Sequence, residues 1–202
     1  MSRATATTAS AAAAREEDQR IFMRGVTWSE YEALLAIRGE RAGIRIAYLK
    51  GDLELMTPSI DHESIKTRIA RLLECCAEER GIDLNGYGSW TIKSAPRARG
   101  AEPDECYIVG VDRKPAPDLA IEVVWAHGGL DKLEIYRGLR VREVWVWREG
   151  EIEVHALRGD AYERVPRSEL VPDLDLVMLT GFLDRPSQTQ AVREFRAALR
   201  QG

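Results

Sequence analysis

The sequence contains no apolar run approaching about 18 residues, so no transmembrane helix is expected. Cysteine is scarce: only Cys75, Cys76 and Cys106. An odd count with an adjacent pair argues against a disulfide framework, and the spacing suits no cysteine metal site. A reducing cytoplasm is the simplest setting. A basic excess is also missing, with formal net charge −4 and pI ≈ 5.6. That argues against permanent residence on nucleic acid, where phosphate neutralisation supplies most of the affinity. A transient nucleic-acid enzyme remains open, with basic residues gathered on one face. There is no internal repeat. The opening "MSRATATTASAAAAREEDQR" lacks the compact apolar segment of a signal peptide. It is rich in Ala and Thr and reads as a disordered tail over 1–20, leaving 21–202 as one domain.

What is present suits a soluble globular domain. "TWSEYEALLAIRGER" predicts a helix capped by Thr27 or Ser29, with Tyr31, Leu34 and Leu35 on its apolar face. "IRIAYLKGDLELMTP" predicts a hairpin turning at Lys50-Gly51-Asp52. "SIDHESIKTRIARLLECCAEERG" is the clearest helix, started by Ser59 or Asp61 and ended by Gly81. Short strands follow at "SWTIKS", "DECYIVGV" and "DLAIEVVWA", then a helix at "GGLDKLEIYRGLR". A meander from Val141 to Val165 and a C-terminal helix complete the chain. The pattern predicts an α/β fold: a mixed central sheet flanked by helices, with an N-terminal helix and β-hairpin.

Glu122 interrupts a strand that otherwise reads as core, and a buried charge needs a partner. Strand alternation puts Leu119, Ile121, Val123 and Trp125 on one face and Asp118, Ala120, Glu122 and Val124 on the other. If the 104–110 and 117–125 segments pair, Asp104 lies beside Glu122, about one strand spacing of 5 Å away. Two carboxylates that close repel unless a cation separates them. Oxygen ligands favour magnesium or manganese. Lys132, in the first turn of the next helix, can reach back to orient a nucleophilic water or steady charge on a phosphate. His62 falls in line with the buried stripe of the long helix and points toward the sheet.

The blocks "GDLELMTPSIDHESI", "GAEPDECYIVG" and "APDLAIEVVWAHGGLDKLEIYRGLRVREVWVW" resemble the PD-(D/E)XK nuclease superfamily. Within it they resemble the restriction-endonuclease-like, Uma-type family of bacterial endonucleases, from about Thr27 to Leu183. The resemblance implies a metal-dependent endonuclease hydrolysing phosphodiester bonds, with DNA as partner and a homodimer as the assembly. By position, Asp104 matches the aspartate of "PD" and Glu122 the acid of (D/E)XK. The backbone carbonyl of Val123 would be the additional metal ligand. Val124 stands where the motif has lysine, and Lys132 matches a lysine moved to the following helix. The resemblance thus implies Asp104, Glu122 and Lys132 for catalysis and Asp104, Glu122 and Val123 for magnesium or manganese; His62 joins the catalytic candidates from its place on the helix stripe, beside the plainer reading of a satisfied helix-start histidine.

Plainer readings stand beside these. Glu122 could be a solvated edge residue or the ion-pair partner of Arg137 or Arg140. Asp118 can cap a turn. Glu54 sits in the hairpin with its facing open, and His127 precedes two glycines in a loop. Trp145 and Trp147 share a strand face as core or subunit interface rather than a base-stacking platform. The competing function is a catalytically inactive nuclease-fold module serving binding or assembly.

Overall fold

The computed structural model describes residues 17–41, 43–125 and 129–201. His127 lies outside the described residues. Among the described residues, two sheets and five α-helices form a mixed α/β architecture.

The first sheet is antiparallel. It comprises β1 (Gln19–Met23), β2 (Arg45–Leu49), β3 (Asp52–Thr57), β5 (Ile92–Ser94) and β6 (Arg99–Ala101), in the order β1-β3-β2-β6-β5. The expected hairpin is its β2–β3 unit. Gln19 and Arg20, at the end of the expected tail, open β1. Helix α1 (Trp28–Arg38) covers this sheet. Thr27 and Glu30 form a reciprocal capping box at its start. Tyr31 of α1 stacks on Tyr48 with ring centroids 4.9 Å apart. Gly100 of β6 passes directly under Tyr31: a Cβ there would lie 2.1 Å from the hydroxyl, so only glycine fits.

The second sheet has the order β11-β10-β9-β8-β7-β4. Its strands are β4 (Leu84–Gly86), β7 (Glu105–Val109), β8 (Leu119–Val123), β9 (Glu143–Arg148), β10 (Glu151–Arg158) and β11 (Ala161–Val165). Among the described residues only β8 and β9 pair in parallel, so they need a crossover, and α3 (Lys132–Leu139) supplies it. Helix α2 (Ile60–Arg80) packs with α5 (Gln188–Leu199) and the short α4 (Leu176–Thr180) on one face of this sheet. Ser59 caps α2, and Gly81 closes it in the left-handed conformation. The main core lies there. It includes Ile69, Leu72, Leu73, Leu119, Ile121, Trp145, Trp147 and Phe195. Helix α3 lies between the sheets, where Ile135, Tyr136 and Leu139 meet Ala47, Ile92, Ala101, Ala120 and Val144. Trp145 and Trp147 are core side chains of a single chain, so they give no support to a subunit interface.

Candidate active site

Strand β8 is central and covered on both faces. Leu119, Ile121 and Val123 enter the α2–α5 core, while Ala120 joins the layer around α3. Glu122 shares the parity of Ala120 and is only 5 % exposed. A carboxylate there requires partners, and α3 provides two. The Tyr136 hydroxyl donates to Glu122 Oε1. Lys132 Nζ stands 3.9 Å from Glu122 Oε2. Lys132 and Tyr136 are four residues apart, hence on one helix face. Asp131 caps α3 by accepting the Glu134 amide at 2.9 Å, which fixes where Lys132 starts. Burial, then the Glu122 charge, pushes the Tyr136 hydroxyl well above its ordinary pKa, so it stays a donor. Arg137 pairs with Glu134, and Arg140 with Asp160. Glu122 is therefore neither a solvated edge residue nor the partner of those arginines.

Glu54 completes the same cleft. It sits mid-strand in β3, opposite Phe22 and Ala47, and is 1 % exposed. Its Oε2 accepts the Leu130 amide at 2.9 Å, and its Oε1 lies 3.9 Å from Lys132 Nζ. Gly129 permits this approach: its φ is +140°, and a Cβ there would come 3.0 Å from Glu54 Oε2. One ammonium thus faces two carboxylates, one from each sheet. The cleft has a volume of about 380 Å³. Arg20 from β1 and Arg148 and His155 from β9 and β10 also line it.

Asp104 takes a different place. Extending the Glu105–Ile121 register by one residue sets it opposite Glu122. Both of its carboxylate oxygens are nonetheless engaged. Arg45 donates to Oδ1, and Oδ2 meets the Val123 amide at 2.6 Å and His62 Nε2 at 2.9 Å. Asp104 does not line the cleft, whereas Val123 does. His62, wholly buried, bridges Asp104 to Asp18, whose Oδ2 lies 3.0 Å from Nδ1. Asp18 Oδ1 also accepts the Ser59 amide at 2.9 Å. Arg45 reaches on to Glu63 at 2.6 Å. The structure therefore brings Glu122, Val123 and Lys132 to the cleft, and places Asp104 and His62 in a buried chain behind it.

Burial alone would raise the Asp18 carboxyl. The His62 hydrogen bond, the Ser59 amide, the His62 charge and Arg20 together outweigh it and hold the pKa at about 2. A carboxyl depressed by folding adds stability that is complete above its unfolded value near 3.8 and fades as pH falls through the folded value. Asp18→Asn should thus cost about 2 kcal/mol more above pH 5 than at pH 2. Urea titrations across that window check it; a difference independent of pH refutes the linkage.

Asp118 accepts the Val109 amide at 2.9 Å and Lys114 Nζ at 2.5 Å, closing the β7–β8 turn. It acts as the turn cap. Sequence reasoning left Glu54 open and missed Tyr136, Arg45 and Asp18. Tyr136 carried a signal, its four-residue spacing from Lys132. Arg45 and Asp18 carried none, because their partners lie 59 and 44 residues away.

A two-sheet α/β fold with a buried carboxylate and a lysine at a βα junction defines a restriction-endonuclease-like protein. The chain belongs to the Uma2 family, described as "Putative restriction endonuclease", whose sequence profile matches residues 28–184. No curated protein matches the chain. No helix among the described residues is long and apolar enough to cross a membrane.

Proposed function

We propose that the chain is a metal-dependent endonuclease acting on DNA, with the cleft around Glu122 and Lys132 as its reaction centre. The observation that supports this most directly is the meeting of Glu122 and Lys132 at 3.9 Å across a β8–α3 junction, inside a cleft flanked by arginines. Among the described residues no three His, Cys, Asp or Glu side chains form a metal cluster. Magnesium does not need one, since one or two carboxylates plus substrate phosphate and water suffice. Glu122 fits that requirement: Oε1 is held by Tyr136, and among the described residues the one polar partner of Oε2 is the ammonium at 3.9 Å, beyond hydrogen-bond length. Magnesium or manganese bound there supplies Lewis acidity toward a phosphate oxygen and makes water a competent nucleophile near neutral pH.

The chain's own groups have distinct tasks. Glu122 binds the cation, and Val123 is the neighbouring strand-end residue on the cleft. Tyr136 locks the Glu122 carboxylate in one orientation. Lys132 steadies charge that develops on the phosphate. Arg20, which also pairs with Asp18, and Arg148 are the cleft's guanidinium groups for a phosphate, standing among the acids Glu54, Glu122, Asp131 and Glu153. Asp104 and His62 act as positioning residues, through the Val123 amide. A homodimer would present two such clefts to two strands.

Lys132→Met tests the assignment. Nicking of supercoiled plasmid in magnesium or manganese should fall by about a hundredfold or more, with the fold retained. Wild-type protein that cuts neither plasmid nor single-stranded DNA with either metal favours the inactive binding module instead.

A further inference from the structure

We infer that Glu54, rather than Asp104, is the second carboxylate that holds the divalent cation, so that the working pair is Glu54 and Glu122. This rests on the nuclease reading above and adds a residue to its centre.

The buried carboxylates differ in the room their oxygens leave for a cation. An ionised carboxylate offers about four lone-pair directions on two oxygens. Asp104 spends its Oδ1 on the Arg45 guanidinium and its Oδ2 on the Val123 amide and His62. Three of its four directions are thus taken, and the one left, on Oδ1, stands beside the Arg45 guanidinium, whose positive charge opposes a cation, in a setting only 1 % exposed. Glu54 is equally buried but differently committed. Its Oε2 accepts one amide, and among the described residues its Oε1 faces the Lys132 ammonium alone, at 3.9 Å. Glu122 repeats the pattern, with Oε1 held by the Tyr136 hydroxyl and Oε2 facing the same ammonium at 3.9 Å. Each glutamate is therefore anchored through one oxygen and presents the other to a shared point.

The positions around that point agree. Glu54 and Glu122 both line the cleft, together with Val123. They project from different sheets, from β3 and β8, so a cation between them would tie the two layers. Arg20 and Arg148 line the same cleft, where their guanidinium groups can meet a phosphate. Two carboxylates and a phosphate are the hard-oxygen set that magnesium and manganese take. Lys132 stands where it compensates the pair in the absence of metal, and it can swing toward the phosphate when a cation takes its place. The pair differs from an ordinary buried ion pair in geometry, since neither oxygen closes on the ammonium to hydrogen-bond distance.

The test is manganese binding to the full chain without nucleic acid, read from the loss of the free aqueous Mn2+ paramagnetic resonance signal. Glu54→Gln and Glu122→Gln should each weaken binding by about tenfold or more, while Asp104→Asn should retain it within about threefold. Retained binding in Glu54→Gln, with loss in Glu122→Gln, overturns the role of Glu54 and leaves the nuclease reading standing. Wild-type protein that binds no manganese overturns both. Circular dichroism checks each variant. If Glu54→Gln is unfolded, Lys132→Met carries the test. Removing the competing ammonium should tighten manganese binding by about threefold or more, and an unchanged affinity overturns the proposal.

Discussion

Glu122→Gln is expected to lower DNA cleavage by roughly a thousandfold, the scale of losing a charged group that acts mainly in the transition state. That corresponds to about 4 kcal/mol of barrier. The same variant should stay folded. Glutamine keeps the shape of the side chain, and its carbonyl can still accept the Tyr136 hydroxyl. The Lys132 side chain is 18 % exposed and can turn toward water once its partner is neutral. The metal response separates this from a structural role. Magnesium at a hundredfold excess over its dissociation constant should stabilise the wild type by about 2.7 kcal/mol by mass action. The variant should show little of that shift. A wild-type melting curve unmoved by millimolar magnesium or manganese, together with a strongly destabilised Glu122→Gln, would make Glu122 a structural ion-pair partner and end the nuclease reading.

Local signals were legible. The caps at Thr27 and Ser59 and the stop at Gly81 mark α1 and α2, because capping is a short-range hydrogen-bond requirement. Strand alternation separated Glu122 and Ala120 from Leu119, Ile121 and Val123, because side chains alternate strictly along a strand. Adjacent strands also gave the Asp104–Glu122 register. Other features had no local signature. The sequence "QRIFM" becomes β1 only by pairing with β3, and its Ile21, Phe22 and Met23 remain exposed. Alternation could not orient Glu54, since Leu53, Glu54 and Met56 of β3 are all buried. The sheet that carries Glu54 to the cleft is assembled from strands distant in sequence. The same distance hides the commitment of Asp104: its position reads as a metal ligand, but its partners Arg45 and His62 arrive from β2 and α2.

Those partners make Asp104→Ala a strongly destabilising change. The substitution removes the acceptor for a buried guanidinium, an imidazole and the Val123 amide at once. Arg45 would keep the His62 ring nitrogen at 3.3 Å and, as its one carboxylate among the described residues, Glu63 at 2.6 Å, at the more exposed end of the chain of charges. Breaking a buried pair by deleting one member costs about 3–5 kcal/mol, because the remaining charge is left uncompensated. Chemical denaturation at pH 7 should show a loss of that size. Adding Arg45→Met to Asp104→Ala should recover part of it, since the orphaned charge is then gone and a side chain of similar length fills the space. A loss below about 1 kcal/mol, as for an ordinary surface substitution, would contradict the network. The two glutamates behave differently on the same argument. Their shared counter-ion is a lysine that can reach water, so removing either carboxylate strands no buried charge. Asp104 therefore holds the strand end in place at high structural cost if lost, and Glu122 and Glu54 can be neutralised with the fold intact.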